Sequence, residues 1–526
     1  MIRQRATRRD NQSRRFHEFR LFHERGSWLV QLLISGAVVN FITSAAFAQA
    51  DPLEALEQSM VKAVESAEPF VVSIARVPRS GAAAVGPVDI GFRSDSNNPR
   101  NADFVPNDFG AGIIIATKNP KHRVVILTNY HVVKGGAVSG VLNGKHKFQI
   151  YAWIQDAPVS QATIIAADPH SDLAVLAIDD RILNSMSLKG MKIQPAKNLK
   201  KGRIVYAFGN PYTAARDGSA SVGMGIISNI ARSKPPNEGG SVINRRNTLH
   251  HFGTLLQIST RLELGTSGGA LLDRTGTLIG ITTAMAAVNG YEQSAGYAIP
   301  FSPAITRVID QLSMGYEVEY GFLGVQTADA SEPQLRGLPS ERANKGAGAV
   351  LGVLTNSAAE QAGLRRGDVI LNVNGVTVRH QFDMMREVAM NGPWDAASKN
   401  VARMRIWRSL DRSFQTVDVK PGKWPVKETG ITTASRFPKW QGITVDFNTA
   451  RYKYIQTTGV GSLHLAVLVT RVDDNVDHEI QQGDFISHVN DRAVTTPAEF
   501  HSAVRNARGE TVTVTLVDGR RIQIDR

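Results

Sequence analysis

The sequence predicts a mainly β protein, with an all-β domain of sandwich or barrel type followed by two copies of a smaller module. Three observations carry this. From 111 to about 300, short β-branched runs alternate with glycine and turn residues: AGIIIAT, RVVILTNYHVV, KFQIYAWI, DLAVLAI, RIVYAFG and TLIGITTA. Residues 349–378 line up with 466–494, sharing Gly367-Asp368 with Gly483-Asp484 and Val373-Asn374 with Val489-Asn490, and Phe382 matches Phe500 just beyond. A repeat of about 100 residues is too long for a solenoid unit and suits tandem small domains. Finally, 526 residues with 42% hydrophobic composition exceed what one core organises and suggest several globular domains.

The elements follow in chain order. Residues 1–27 carry eight arginines and three acids, and no charged residue lies between Trp28 and Ala50. A basic region, an apolar region and an A-x-A ending (Ala46-Phe47-Ala48 or Ala48-Gln49-Ala50) predict that 1–50 is a signal peptide or an N-terminal membrane anchor. Either way residues 51–526 lie outside the cytoplasm: in the periplasm, secreted, or anchored on the outer side of the inner membrane. The membrane is touched only through residues 28–48, and only if the leader is not cleaved. Leu53, Leu56, Met60, Val61 and Val64 have helical spacing, so Asp51–Glu68 reads as an amphipathic helix. A strand, PFVVSIARV, follows, and then a Gly-, Pro-, Asn- and Ser-rich loop over 78–110.

Composition excludes several functions. With no cysteine there is no disulfide, thiol nucleophile or thiolate metal site. A net five of the thirteen formal positive charges sit in the leader, and the rest are scattered without an aromatic-interleaved basic stripe, so no nucleic-acid partner is expected. His250-His251 lack metal-ligand spacing, and neither a metal nor a cofactor is expected.

Three places carry chemistry. His131 follows a β-branched run in LTNYHVV, Asp172 opens SDLAVLAI, and Ser267 sits in the glycine-rich LGTSGGALLD. A serine hydroxyl needs an adjacent base, an imidazole supplies one near neutral pH, and a buried carboxylate fixes the imidazole's tautomer. The order His, Asp, Ser on a β-rich scaffold is that of chymotrypsin and not that of subtilisin or the α/β-hydrolases. The glycines let the amides of Gly265 and Ser267 aim together at an oxyanion.

Together with Gly209-Asn210-Pro211 and AGYAIP (295–300), these motifs resemble the HtrA/DegP family, over about residues 53–425 well and over the last 90 residues weakly. The resemblance implies a trypsin-like double β-barrel protease domain (51–315) followed by two PDZ-like α/β modules, 321–425 and a degenerate 437–526. It also implies an ATP-independent endopeptidase acting on unfolded or damaged proteins, built as a homotrimer or higher oligomer. By position, Leu262 lines the primary specificity pocket, with Ile281, Thr282 and Thr283 in its wall. Arg261 stands where trypsin has an acidic residue, so a preference for Lys or Arg is excluded by charge sign. Phe322-Leu323-Gly324-Val325 matches the loop that captures the carboxylate of C-terminal peptides, and Trp440-Gln441-Gly442-Ile443 fits less well. Around the nucleophile, Leu264, Thr266 and Ala270 depart from the family's usual Asn-Pro-Gly-Asn-Ser-Gly-Gly-Pro. The alternative reading is therefore a non-proteolytic or latent peptide-binding chaperone or scaffold.

Overall fold

In the computed structural model the described residues are 52–78, 108–134, 148–210, 219–233, 248–283, 296–338, 345–395, 398–425, 431–432, 436–451 and 462–526. The leader 1–50, most of the loop 78–110, Pro211, Ala284 and Ala295 lie outside them. Among the described residues no helix is long and apolar enough to cross a membrane.

The apolar runs of the sequence fold into two barrels. The first is built from β1 (Val71–Pro78), β2 (Asp108–Ala116), β3 (Val124–Asn129), β4 (Phe148–Trp153), β5 (Ser160–Asp168) and β6 (Leu173–Ala177). Antiparallel pairings run β1–β2–β3–β6–β5–β4 and return to β1. The second is built from β7 (Ile204–Gly209), β8 (Ser221–Arg232), β9 (Leu255–Ile258), β10 (Ala270–Asp273), β11 (Leu278–Thr283) and β12 (Gly296–Pro300), and it also closes.

The apolar runs of β2, β3 and β6 are continuous because both faces of these strands are buried. Ile114 and Ile126 face the barrel's own interior with Val72 and Ile74. Their neighbours Ile113, Ile115, Val125 and Leu127 join a second cluster with Ala270, Leu272, Ile281 and Ile299 of the other barrel. Period-two alternation thus divides each strand between two cores, and one of these cores fuses the barrels. The seam so formed is where the candidate site lies.

The C-terminal part contains two sheets of one topology. In the first, the edge strand Val325–Asp329 is followed in order by Gly348–Val353, Asp368–Val373, Ala402–Arg408 and Ser413–Val419. In the second, the order is Ile443–Phe447, Val467–Val472, Phe485–Val489, Thr511–Leu516 and Arg521–Asp525. A short strand pairs with the third strand in each, and a helix (Gln381–Asn391 or Pro497–Asn506) follows it.

The segments joining these parts are tied down. Ile431–Thr432 adds a strand to β5 at Ala166 and Ala167. Lys423, nearly inaccessible, lies 2.9 Å from Asp446 and 3.0 Å from Glu317. Burial works against its charge, but Asp446, Glu317 and Glu319 outweigh that and hold it protonated. Arg436 bridges Glu319 and Asp395 beside it.

Candidate active site

His131 sits on a single helical turn, Tyr130–Val133, directly after β3. Asp172 precedes β6, which pairs with β3, so the pairing carries both side chains to the same end of the barrel. His131 Nδ1 lies 3.0 and 2.8 Å from the two Asp172 carboxylate oxygens, and the His131 amide donates to Oδ1 at 3.0 Å. A carboxylate only accepts, so Nδ1 carries the proton and Nε2 keeps the lone pair a base needs. Burial pushes the Asp172 carboxyl up, but the His131 charge and hydrogen bonds, with His250, bring it below its ordinary value. Asp172 therefore stays ionised next to the ring. Nε2 is buried and has no hydrogen-bond partner among the described residues.

Asp172 itself has a left-handed backbone (φ 54°), a conformation that costs a non-glycine residue about 1 kcal/mol or more. It is held there from several directions. Its carbonyl accepts from the Tyr130 amide at 3.0 Å and from Asn129 Nδ2 at 2.9 Å. The preceding turn is closed by Asp168, whose carboxylate accepts from the His170 and Ser171 amides at 3.1 and 2.9 Å, from Ser171 Oγ at 2.5 Å, and from the Tyr320 hydroxyl.

Ser267 reaches the seam from the second barrel. Its carbonyl accepts from the Ala111 amide of β2 at 2.7 Å. A Cβ on neighbouring Gly110 would lie 2.7 Å from Val132, the residue after His131, and 3.0 Å from the Ser267 carbonyl. Histidine turn and serine turn thus crowd onto one glycine, which admits no side chain. The serine turn is pinned by two threonines, one of its own and one from β11. Thr266 Oγ1 donates to the Glu263 carbonyl at 2.7 Å, and Thr282 Oγ1 donates to the Thr266 carbonyl at 2.6 Å. Gly265 has φ 96°, and a Cβ there would stand 2.3 Å from the Asn210 carbonyl, so the turn requires glycine.

The residues expected around the specificity pocket divide. Thr282 touches the nucleophile turn, and Thr283 Oγ1 is buried without a partner among the described residues. Leu262 is buried in the second barrel's cluster, against Gly296, whereas Ile281 belongs to the cluster shared by the barrels. Arg261 is exposed. In the first C-terminal module, Leu323 is buried and Gly324 has φ 78°; Val325 opens the edge strand. Phe322 pairs with Gly422. Among the described residues no group of His, Asp or Glu has the arrangement of a metal site.

Sequence reasoning passed over Asp168 and Tyr320, and weighed His250 only as a metal ligand. An Asp-x-x-Ser spacing is a local turn signal that points to Asp168. Nothing local marks the other two, which act from 152 and 79 residues away.

The chain is similar to known proteins in two of its parts. The trypsin-like peptidase domain family matches residues 110–281, and the PDZ domain family matches 350–390. A DegP-like periplasmic serine endoprotease of Brucella suis biovar 1 (strain 1330) is 29% identical over 422 residues, covering 79% of this chain and 72% of its own. A counterpart from Chlamydia trachomatis serovar D is 26% identical over 492 residues, 90% of this chain and 88% of its own. The solved HtrA-type protease AlgW with decapeptide covers 70% of this chain and 99% of its own, at 25% identity and a TM-score of 0.48.

Fold and family matches define a trypsin-like serine endopeptidase that carries a PDZ domain and is extracytoplasmic. Within that class, the chain resembles the HtrA/DegP-type proteases.

Proposed function

We propose that Ser267, His131 and Asp172 form the catalytic triad of an ATP-independent quality-control protease that cleaves unfolded or damaged proteins outside the cytoplasm. The observation that carries this is His131 held through Nδ1 on both oxygens of a buried, ionised Asp172. In the reaction Ser267 Oγ attacks the scissile carbonyl while its proton passes to His131 Nε2. The tetrahedral oxyanion is met by the amides of Gly265 and Ser267, and the amine leaves with the proton that His131 returns. Water, activated by the same nitrogen, then releases the acyl group from Ser267. Asp172 stays a carboxylate throughout and stabilises the imidazolium.

Leu262 and the β11 residues Ile281, Thr282 and Thr283 shape the primary pocket, which suits small or medium aliphatic side chains. The protease domain spans 51–315. The module 321–425 takes C-terminal peptides, adding them to the free edge strand Val325–Asp329 with the carboxylate over Phe322–Val325. The second module, 437–526, serves docking. The assembly is a homotrimer or larger.

The test is cleavage of unfolded casein. Wild type is expected to cleave and Ser267→Ala to lose at least about a thousandfold in rate, as removal of a nucleophile does. Equal rates both without and with an added peptide would end the triad reading. A latent resting state is the second reading, favoured by the absence of a hydrogen bond on His131 Nε2 among the described residues. In that case wild type cleaves only after a peptide is supplied.

A further inference from the structure

We propose that His250 is a positioning residue for the catalytic carboxylate, acting on Asp172 through the carbonyl of Ser171; this rests on the triad reading above. His250 is completely inaccessible to solvent and lies on the short 3-10 turn Leu249–Phe252. Its Nε2 is 2.9 Å from the Ser171 carbonyl and its Nδ1 is 2.8 Å from Thr254 Oγ1. A carbonyl can only accept, so Nε2 carries a proton and donates to it, while Nδ1 meets a hydroxyl that can donate or accept. The ring is thus held at both nitrogens, with Nε2 the donor to the loop. This is the reverse of His131, whose proton is on Nδ1.

The bond matters because of where it falls. Ser171 and Asp172 share the peptide unit whose oxygen His250 holds, so the bond sets the plane from which the Asp172 side chain projects. Asp172 is at φ 54°, and such a conformation persists only when its surroundings over-determine it. Asn129 and Tyr130 hold the carbonyl on the far side of Asp172, and Asp168 holds the Ser171 amide and hydroxyl. His250 supplies the remaining restraint on the Ser171 carbonyl. The 3-10 turn is itself locked to the same loop, since the Leu249 amide donates to the His170 carbonyl at 2.8 Å. Losing the ring's donor would leave a buried carbonyl unmatched, and Asp172 would relax away from His131.

Three variants of the full chain separate this from simple packing. Gln keeps a nitrogen donor at the distance of Nε2, Asn keeps one only at the distance of Nδ1, and Leu keeps the bulk without either. With labelled unfolded casein, His250→Leu and His250→Asn are expected to lose about tenfold or more in kcat with KM within about twofold, and His250→Gln to recover most of it. Melting temperatures of all three show whether each folds. The inference is overturned if Gln falls as far as Leu, which means packing, or if Leu keeps full kcat. Labelling of wild type but not Ser267→Ala by a fluorophosphonate keeps the two readings apart. If wild type is not labelled at Ser267, the triad reading fails; if it is labelled and the three variants do not separate, only the role of His250 fails.

Discussion

The two C-terminal modules share a framework and differ at the places where a ligand would sit. In both, a glycine–aspartate pair ends one loop. The Gly367 amide donates to the Val350 carbonyl at 2.8 Å, and the Gly483 amide to that of Val469 at 2.9 Å. In both, an asparagine in the left-handed region clamps a neighbouring strand. Asn374 exchanges two bonds with Arg403 at 2.9 Å, and Asn490 exchanges two with Thr513 at 2.8 Å.

The loops before the edge strands diverge. In the first module, Phe322 pairs outward with Gly422, and the Leu323 and Gly324 carbonyls are taken by the Ala359 and Leu354 amides, which opens the loop. In the second, Trp440 and Ile443 bond to each other in both directions, at 3.0 and 2.8 Å, and close it. Trp440 then packs edge-on against Phe500, and Phe437 stacks on His501 of the same helix. The corresponding Phe382 of the first module instead meets Phe252 of the protease domain. One framework therefore carries two forms: an open loop beside an edge strand, and a self-filled body.

The largest expected difference lies in the paired aspartates. Asp368 is bound through both oxygens by Arg408, with both side chains buried. Asp368→Asn should cost about 3–5 kcal/mol, because an uncompensated guanidinium is left inside. Its counterpart Asp484 meets a half-exposed Arg520, so Asp484→Asn should cost less than about 1 kcal/mol. Denaturant titration of each full-length variant checks this, and equal costs would break the comparison.

The next effect concerns binding. A Cβ on Gly324 would stand 2.3 Å from the Ser357 Cβ at φ 78°, so Gly324→Ala must deform the loop. It should weaken a fluorescent C-terminal peptide at least about tenfold, equivalent to about 1.4 kcal/mol. Gly442→Ala, equally crowded against Val476, should leave the peptide affinity unchanged. A matching loss in both variants would show that the second loop also binds.

The smallest effect is a gain. Asn374 is followed by Gly375 at φ 86°, whereas Asn490 is followed by Asp491 at φ 46°. Asp491→Gly relieves a left-handed aspartate and should stabilise the chain by about 0.5–1 kcal/mol, read as a raised melting temperature. A loss would mean that the Asp491–Arg521 contact at 3.5 Å outweighs the backbone strain.

Much of the fold was legible because its signals are local. The runs IIIA and VVILTN mark strands buried on both faces, and Gly265, Gly268 and Gly269 mark a turn crowded by backbone on all sides. Strands β5, β8 and β9 were harder to see, since Ser160–Asp168 mixes polar with small residues and glycines interrupt β8. The closed loop of the second module was visible only as an ill-fitting Trp440.

The sequence by itself determined the serine, histidine and aspartate in their order, the glycine turn, and the repeated modules. Each of these is a preference of a short stretch of chain for one backbone path. Only the tertiary structure decided that His250 grips Ser171, that Tyr320 holds Asp168, and that Lys423 binds Asp446. Those contacts join residues far apart in the chain, and no local periodicity encodes them. The first exists because closing two barrels against one shared core brings their loops to the same seam, and the other two because the segments that follow the barrels fold back on their neighbours.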